Sequence, residues 1–355
     1  ITANWLASYI IGWPDHEFYK LVQLGVCPLG EQAPLGIYRN KTVEASLSLK
    51  ELAEFNSSFI SSLASRPPPP PDQMDVIFEQ SDLEQREGLL SDWLSAEQLD
   101  ELFGKGEWMA ILRFALWQKE KYRLIDDASH GHNQTFASEE QIHTTSASAA
   151  AGVGRLFRKA LGGRLRRKRA LKSSSKDMKK AYKQISVRPS QQKFIIIAVF
   201  HPGQNRWVFA LSYALPFGLS GAVLHFNRVP ALIVAFLRRW MAIPAQHFFD
   251  DFRVTEPEFA ITEKSSAHFW FQKVVDLLGW KFDPQKDHAP CSVLPMLGSL
   301  EDWSQTDITD CFCVKAKPER IQGIKDSVLK ATLYKQFPKS TAASLRGRLL
   351  HIAAT

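Results

Sequence analysis

Apolar positions along the chain change period several times, and each change marks an element. The run Phe194-Ile-Ile-Ile-Ala-Val-Phe200 is continuous, which predicts a strand buried on both faces. Between Asp82 and Leu102, the residues Leu89, Leu90, Trp93, Leu94, Leu99 and Leu102 recur near helical spacing in an acidic background, which predicts amphipathic helix. Ser95 followed by Glu97 and Gln98 reads as a fresh helix start, because a serine hydroxyl accepts the free N–H groups of a first turn. Residues 113–118 and 122–125, separated by the polar Lys119-Glu120-Lys121, predict a β-hairpin. After the turn Leu215-Pro-Phe-Gly218 and a capping Ser220, apolar positions Ala222, Phe226, Val229, Ile233, Phe236 and Trp240 are spaced by three and four. That is one face of a helix, which Pro230 is expected to kink. Ile243, Phe248, Phe249, Phe252 and Val254 surround Asp250 and Asp251, predicting a hairpin with both aspartates at its tip.

Between these patterned stretches lie two punctuating segments. Pro67 through Pro71 should form an extended, semi-rigid spacer, so residues 67–75 are expected to be a linker after an N-terminal segment, 1–66. From Arg155 to Lys180 basic residues dominate, among them Arg166, Arg167, Lys168 and Arg169, and Asp177 is the only acid. Such a block is either a solvated loop, a nuclear import signal or a track for a phosphate backbone.

Composition narrows the class without choosing the function. The 355 residues are 45% hydrophobic and 23% charged, which excludes a disordered chain. A net charge of +7 favours polyanionic partners. The cysteines Cys27, Cys291, Cys311 and Cys313 form no zinc-binding spacing and read as reduced thiols of an intracellular protein. The most apolar run is far short of the ~20 residues a bilayer requires, so no membrane partner is expected. The first residue is Ile1 and the last is Thr355, after an apolar stretch; the chain is expected to be part of a longer polypeptide.

The candidate chemistry lies in three segments: residues 176–187 around Asp177, residues 214–222 around Leu215-Pro-Phe-Gly218, and residues 247–252 around Asp250-Asp251. Two adjacent carboxylates between apolar residues repel, and one takes up a proton unless a cation offsets them. Mg²⁺ is the usual partner for such a pair together with substrate phosphates. Two-metal phosphoryl transfer needs carboxylates bridging ions roughly 3.5–4 Å apart, and a carboxylate from a second strand, Asp177, would supply the bridge.

Taken in order, Asp-x-x-x-x-Tyr, Leu-Pro-Phe-Gly-Leu with a following helix, and Phe-x-Asp-Asp resemble the palm motifs of reverse transcriptases, closest to those of tyrosine-recombinase (DIRS-like) retrotransposons. The resemblance covers about residues 107–355. It implies an α+β right-hand polymerase: helical lead-in, fingers and basic connection over 76–172, a palm with an antiparallel sheet flanked by helices over 173–300, and a partial thumb over 301–355. It implies that Asp177 and Asp250 coordinate two Mg²⁺ ions, replaceable by Mn²⁺, with Asp251 assisting and the Met178 carbonyl facing the metal. Tyr182 would fill the space of a ribose 2′-OH, and Phe217 and Gly218 would pack under the incoming nucleotide. Arg123, with Lys119 or Lys121, would grip the triphosphate; Arg suits this because its planar donor fork matches phosphate oxygens. Asn133 falls where the family often has Asn. Lys286, after Leu277-Leu-Gly-Trp, would be the general acid at the leaving pyrophosphate, and Leu297-Gly298 resembles the primer-grip turn. Arg346 and Arg348 would face the duplex, as would Arg166 to Arg169 if the basic block contacts template.

The implied partners are an RNA or DNA template with primer and deoxynucleoside triphosphates, and the implied location is intracellular, with the basic block suggesting the nucleus. Three departures stand out. Ser173-Ser174-Ser175-Lys176 replaces the usual apolar residues before the first aspartate, the connection from Asn133 to Asp177 is long, and Val223 stands where proline is common. They leave two alternatives beside an active RNA-directed DNA polymerase: a nucleic-acid-binding remnant, and an RNA-directed RNA polymerase, against which Tyr182 argues.

Overall fold

The continuous apolar run becomes an interior strand. In the computed structural model, which describes residues 1–118, 120–145, 148–161, 170–262, 264–306, 308, 312–334 and 338–353, Ile196–His201 lies between a parallel neighbour, Ala110–Gln118, and an antiparallel one, Arg206–Leu211. Ile195 through Val199 are fully buried. The fold is mixed α+β, and its chain divides into two compact units, residues 1–143 with 180–232 and residues 144–179 with 233–355. The expected palm, 173–300, is therefore shared between the units.

In the first unit the expected hairpin forms, Ala110–Gln118 against Lys121–Asp127. Trp117 and Tyr122 face each other across it, ring centroids 4.8 Å apart. The expected helix between Asp82 and Leu102 needs correction. Pro71–Arg86 is helical with Pro71 in its first turn, where a missing N–H costs nothing, so the linker shortens to the extended Pro67 to Pro70. Gly88 at φ 72° follows the helix end. Leu89, Leu90, Trp93 and Leu94 are not helical: the backbone here runs along the edge strand, with Leu94 and Phe209 exchanging N–H···O bonds of 2.8 and 2.9 Å. Apolar pairs on a sheet edge and on a helix face are hard to tell apart over so short a run. The expected new start at Ser95 is real, a capping box with Gln98 opening Ala96–Phe103. Residues 1–66, for which the sequence offered no role, belong to this unit, burying Phe18, Leu21, Leu52, Phe59 and Leu63.

The helix Ser220–Arg239 continues through Pro230. Ala222, Phe226, Val229, Ile233 and Phe236 are buried as expected, but Trp240 lies past the helix end and is 62% exposed. This helix is long and apolar enough to cross a membrane by length and composition alone; 78% of its apolar window is buried inside the protein, as for a core helix.

The second unit is built on a four-stranded antiparallel sheet ordered His288–Cys291, Leu171–Asp177, Asp251–Pro257, Ala245–Phe248. Helix Ala267–Leu278 buries Phe271, Val274, Val275 and Leu278, and Phe271 and Phe282 pack on Phe252 with centroids 5.3 Å from its ring. At the far end of the Leu171 strand, Ala150 of helix Ser148–Leu161 and Trp303 form a second buried cluster with Leu171. Strands Val293–Met296 and Ser299–Asp302 join through Leu297 at φ 48° and Gly298 at φ 79°, the two positive φ values of a type I′ hairpin. Helices Pro318–Tyr334 and Lys339–Ala353 follow.

Candidate active site

The strand that carries Asp177 has no apolar alternation, yet it is an interior strand of its sheet, paired on both sides. Polar partners hold it instead. Ser173 Oγ and Thr255 Oγ1 lie 2.8 Å apart across the ladder. Lys176, with only 2% of its side chain exposed, donates to Asp287 at 2.6 Å and to Gln272 at 2.9 Å. On the neighbouring strand Arg253 is buried against Glu301 and Gln246. Ser173, Lys176 and Arg253 each find a polar partner, which makes their burial tolerable. The polar composition before Asp177 is thus no sign of a missing strand.

Register then does the chemical work. Asp251 is the cross-strand partner of Asp177, and directly opposed residues have Cβ atoms only ~4.5–5.5 Å apart. The hairpin tip is Phe249 and Asp250, since Phe248 pairs with Asp251; Asp250 sits at the tip as expected, whereas Asp251 opens the strand. Phe249 takes φ 52°, a conformation disfavoured for a bulky side chain and typical of functional turns. The Met178 N–H donates to the Asp250 carbonyl at 3.0 Å, and the Asp283 N–H donates to the Asp177 carbonyl at 2.9 Å. Asp283 also caps the short turn Pro284–Lys286 through its side chain. That turn delivers Lys286 to Asp177, Nζ to Oδ2 at 2.7 Å.

Charge at this corner is unbalanced. Burial, then Asp250, then Asp177 push the Asp251 carboxyl up to about 6, and it shares a hydrogen bond with Asp177. Burial and the Asp177 charge raise Asp250 as well. The hydrogen bond to Asp177 raises Lys286. Three carboxylates face one ammonium whose side chain is 59% exposed. Among the described residues no three His, Cys, Asp or Glu side chains converge as a ready-made ligand set: Asp251 meets Asp177 directly, while Asp250 feels Asp177 through its charge. Two opposed hard-oxygen donors with surplus negative charge nonetheless suit a divalent cation such as Mg²⁺, with Lys286 supplying part of the compensation.

The Leu-Pro-Phe-Gly turn and Tyr182 belong to the first unit. Asn133 fixes the turn: its Nδ2 donates to the Gly218 carbonyl at 3.0 Å and its Oδ1 accepts the Ser220 N–H at 2.8 Å. The latter bond satisfies one of the free donors at the helix start. A Cβ on Gly218 would stand 2.3 Å from the Asp126 carbonyl oxygen, and one on Gly221 1.9 Å from that of Pro28, so backbone approaches there too closely for any side chain. Tyr182 is buried, stacked on Phe226 at 4.5 Å and edge-on to Phe217 at 5.4 Å.

Other expected contacts are placed less tightly. Lys121 and Arg123 are exposed on their strand, free of ion pairs among the described residues. Arg346 is exposed on helix Lys339–Ala353. Arg166, Arg167, Lys168 and Arg169, the side chain of Arg348, and Lys119 lie outside the described residues. Cys27 and Cys291 are half-buried free thiols and Cys313 an exposed one.

A buried ionic cluster in the first unit went unread in the sequence. Arg113 donates to both oxygens of Asp126 at 2.7 and 3.2 Å, to Glu84 at 2.8 Å and to Ser81 at 3.1 Å, and Lys183 reaches Glu84 at 3.2 Å. The signal was an arginine inside an apolar strand, which is buried only when paired. A scan against protein-family models finds no match for this chain, and neither does a search of curated proteins.

Proposed function

We propose that the chain is the polymerase core of a reverse transcriptase with a right-hand α+β arrangement, extending a primer 3′-OH with deoxynucleotides on an RNA or DNA template. The observation that carries this reading is the cross-strand pairing of Asp177 with Asp251 beside a Phe-Phe-Asp-Asp hairpin. Asp177, Asp250 and Asp251 would hold the divalent ions; when bound, such ions supply positive charge at the phosphoryl group and its leaving oxygen. Lys286, held by Asp177, would donate a proton to the departing pyrophosphate. Tyr182 would exclude a ribose 2′-OH, with Phe217 and Gly218 shaping the nucleotide's seat and Arg123 and Lys121 binding its triphosphate.

The test is primer extension by purified protein with Mg²⁺, an RNA template and deoxynucleotides. Extension that disappears in Asp250→Asn is expected, as is ribonucleotide incorporation by Tyr182→Ala. Ribonucleotides used as well as deoxynucleotides by the unmodified protein would indicate an RNA-directed RNA polymerase instead. A second reading, a nucleic-acid-binding remnant of this fold, draws on the net charge of +7, which favours polyanionic partners. Salt-sensitive duplex binding without any extension would establish it over the first.

A further inference from the structure

The buried cluster around Arg113 joins four separate pieces of chain, and two of them carry residues assigned to the incoming nucleotide and its sugar. Helix Pro71–Arg86 supplies Ser81 and Glu84, and the paired strands supply Arg113 and Asp126, which are cross-strand partners. Lys183 follows Tyr182 directly, in the short turn Ala181–Gln184. The fourth piece is the Leu-Pro-Phe-Gly turn, where Gly218 meets the Asp126 backbone so closely that a Cβ would stand 2.3 Å from its carbonyl oxygen, and the Phe217 backbone helps hold the Asp126 carboxyl low. Glu84 therefore holds the neighbour of Tyr182, and Asp126 lies against the turn that carries Phe217, which packs edge-on against the Tyr182 ring. Arg113 locks both acids, with only 1% of its side chain exposed.

We propose that the Arg113–Asp126–Glu84–Lys183 cluster is a positioning device that sets the distance between Tyr182 and Phe217, and through it the strictness with which a ribose is refused; the second half of this rests on the polymerase reading. An edge-on aromatic pair has its own preferred spacing but a shallow energy well. A charge-assisted clamp on either side fixes it more firmly. The device is specific to this arrangement because charge-assisted hydrogen bonds need the planar Arg fork between two carboxylates, and because Gly218 lets the turn approach Asp126 without a side chain between them.

The experiment compares Glu84→Gln and Asp126→Asn with an exposed control, Glu87→Gln, whose carboxylate pairs with Lys180. Hydrogen exchange at the Phe217 amide reads the clamp without any need for activity, and protection of Ile196–His201 reports that the sheet remains folded. We expect exchange at Phe217 to accelerate by about tenfold or more in both cluster variants and to stay unchanged in the control. In primer extension, the ratio of ribonucleotide to deoxynucleotide kcat/KM should rise about tenfold while deoxynucleotide kcat holds within about twofold. Unchanged Phe217 exchange in both variants would overturn the clamp. Accelerated exchange with an unchanged sugar ratio, or with both nucleotides losing kcat/KM in proportion, would overturn its role in selectivity. Accelerated exchange in a protein that extends no primer at all would refute the polymerase reading and leave the clamp standing.

Discussion

Two charged clusters, one in each unit, are built on opposite principles. Around Arg113, two cations meet two carboxylates. Burial pulls the Asp126 carboxyl up, but Arg113, Lys183 and the bonds it accepts outweigh that and hold it below its ordinary value. At the Asp177 corner three carboxylates share Lys286, and Asp250 and Asp251 are both pushed up. A neutralised cluster fixes positions; a cluster left short of positive charge holds free energy that a cation can recover. The balanced one is expected to matter for stability and the unbalanced one for binding.

Breaking the balanced cluster should have the largest effect. Arg113→Met leaves Asp126 buried without its partner, and a loss of about 3–5 kcal/mol in urea unfolding is expected; a loss under ~1 kcal/mol would mean that the pairing is worth little. For the unbalanced cluster the sign reverses. Saturating Mg²⁺, at about a hundred times its Kd, should stabilise the protein by about 2.7 kcal/mol, and thermal unfolding of Asp177→Asn should lose that increment. An equal shift in both proteins would place the ion elsewhere.

Acidity sharpens the contrast further. Because the folded value of Asp251, about 6, lies above its ordinary carboxylate value, the native state binds the extra proton. Stability without metal should therefore rise as pH falls from 7 to about 5, by roughly 1 kcal/mol once solvent screening at this partly exposed corner is allowed for. In Asp251→Asn that rise should be absent; a variant that keeps it would assign the proton to another group. The smallest effect belongs to Lys286→Met, whose half-exposed pair should cost no more than ~0.5 kcal/mol of stability. On the proposed polymerase reading, its effect on primer extension should be far larger than that.

Much of the site's content could be seen in the amino-acid order. The apolar strand at Ile196, the hairpin from Ala110 to Asp127 and the long helix after Ser220 follow from local period and caps. Misreadings occurred where local pattern was ambiguous or a partner lay far away. Leu89 to Leu94 fit a helix face until their backbone is seen against Leu211 and Phe209. The Ser173 to Lys176 stretch looked unfit for an interior strand because Thr255, Gln272 and Asp287, the partners of Ser173 and Lys176, lie some eighty to more than a hundred residues on.

Residue identity alone determined that Asp177, Asp250, Asp251, Tyr182 and Lys286 were available for chemistry. Only the tertiary structure decided that Asp177 faces Asp251, that Lys286 rests on Asp177, and that Arg113 ties together Asp126 and the Glu84 that holds Lys183. The reason is physical. Period and propensity act within a turn or two of chain, whereas strand register and buried charge pairing depend on which distant segments close together, and shifting a strand by one residue turns every side chain to the opposite face.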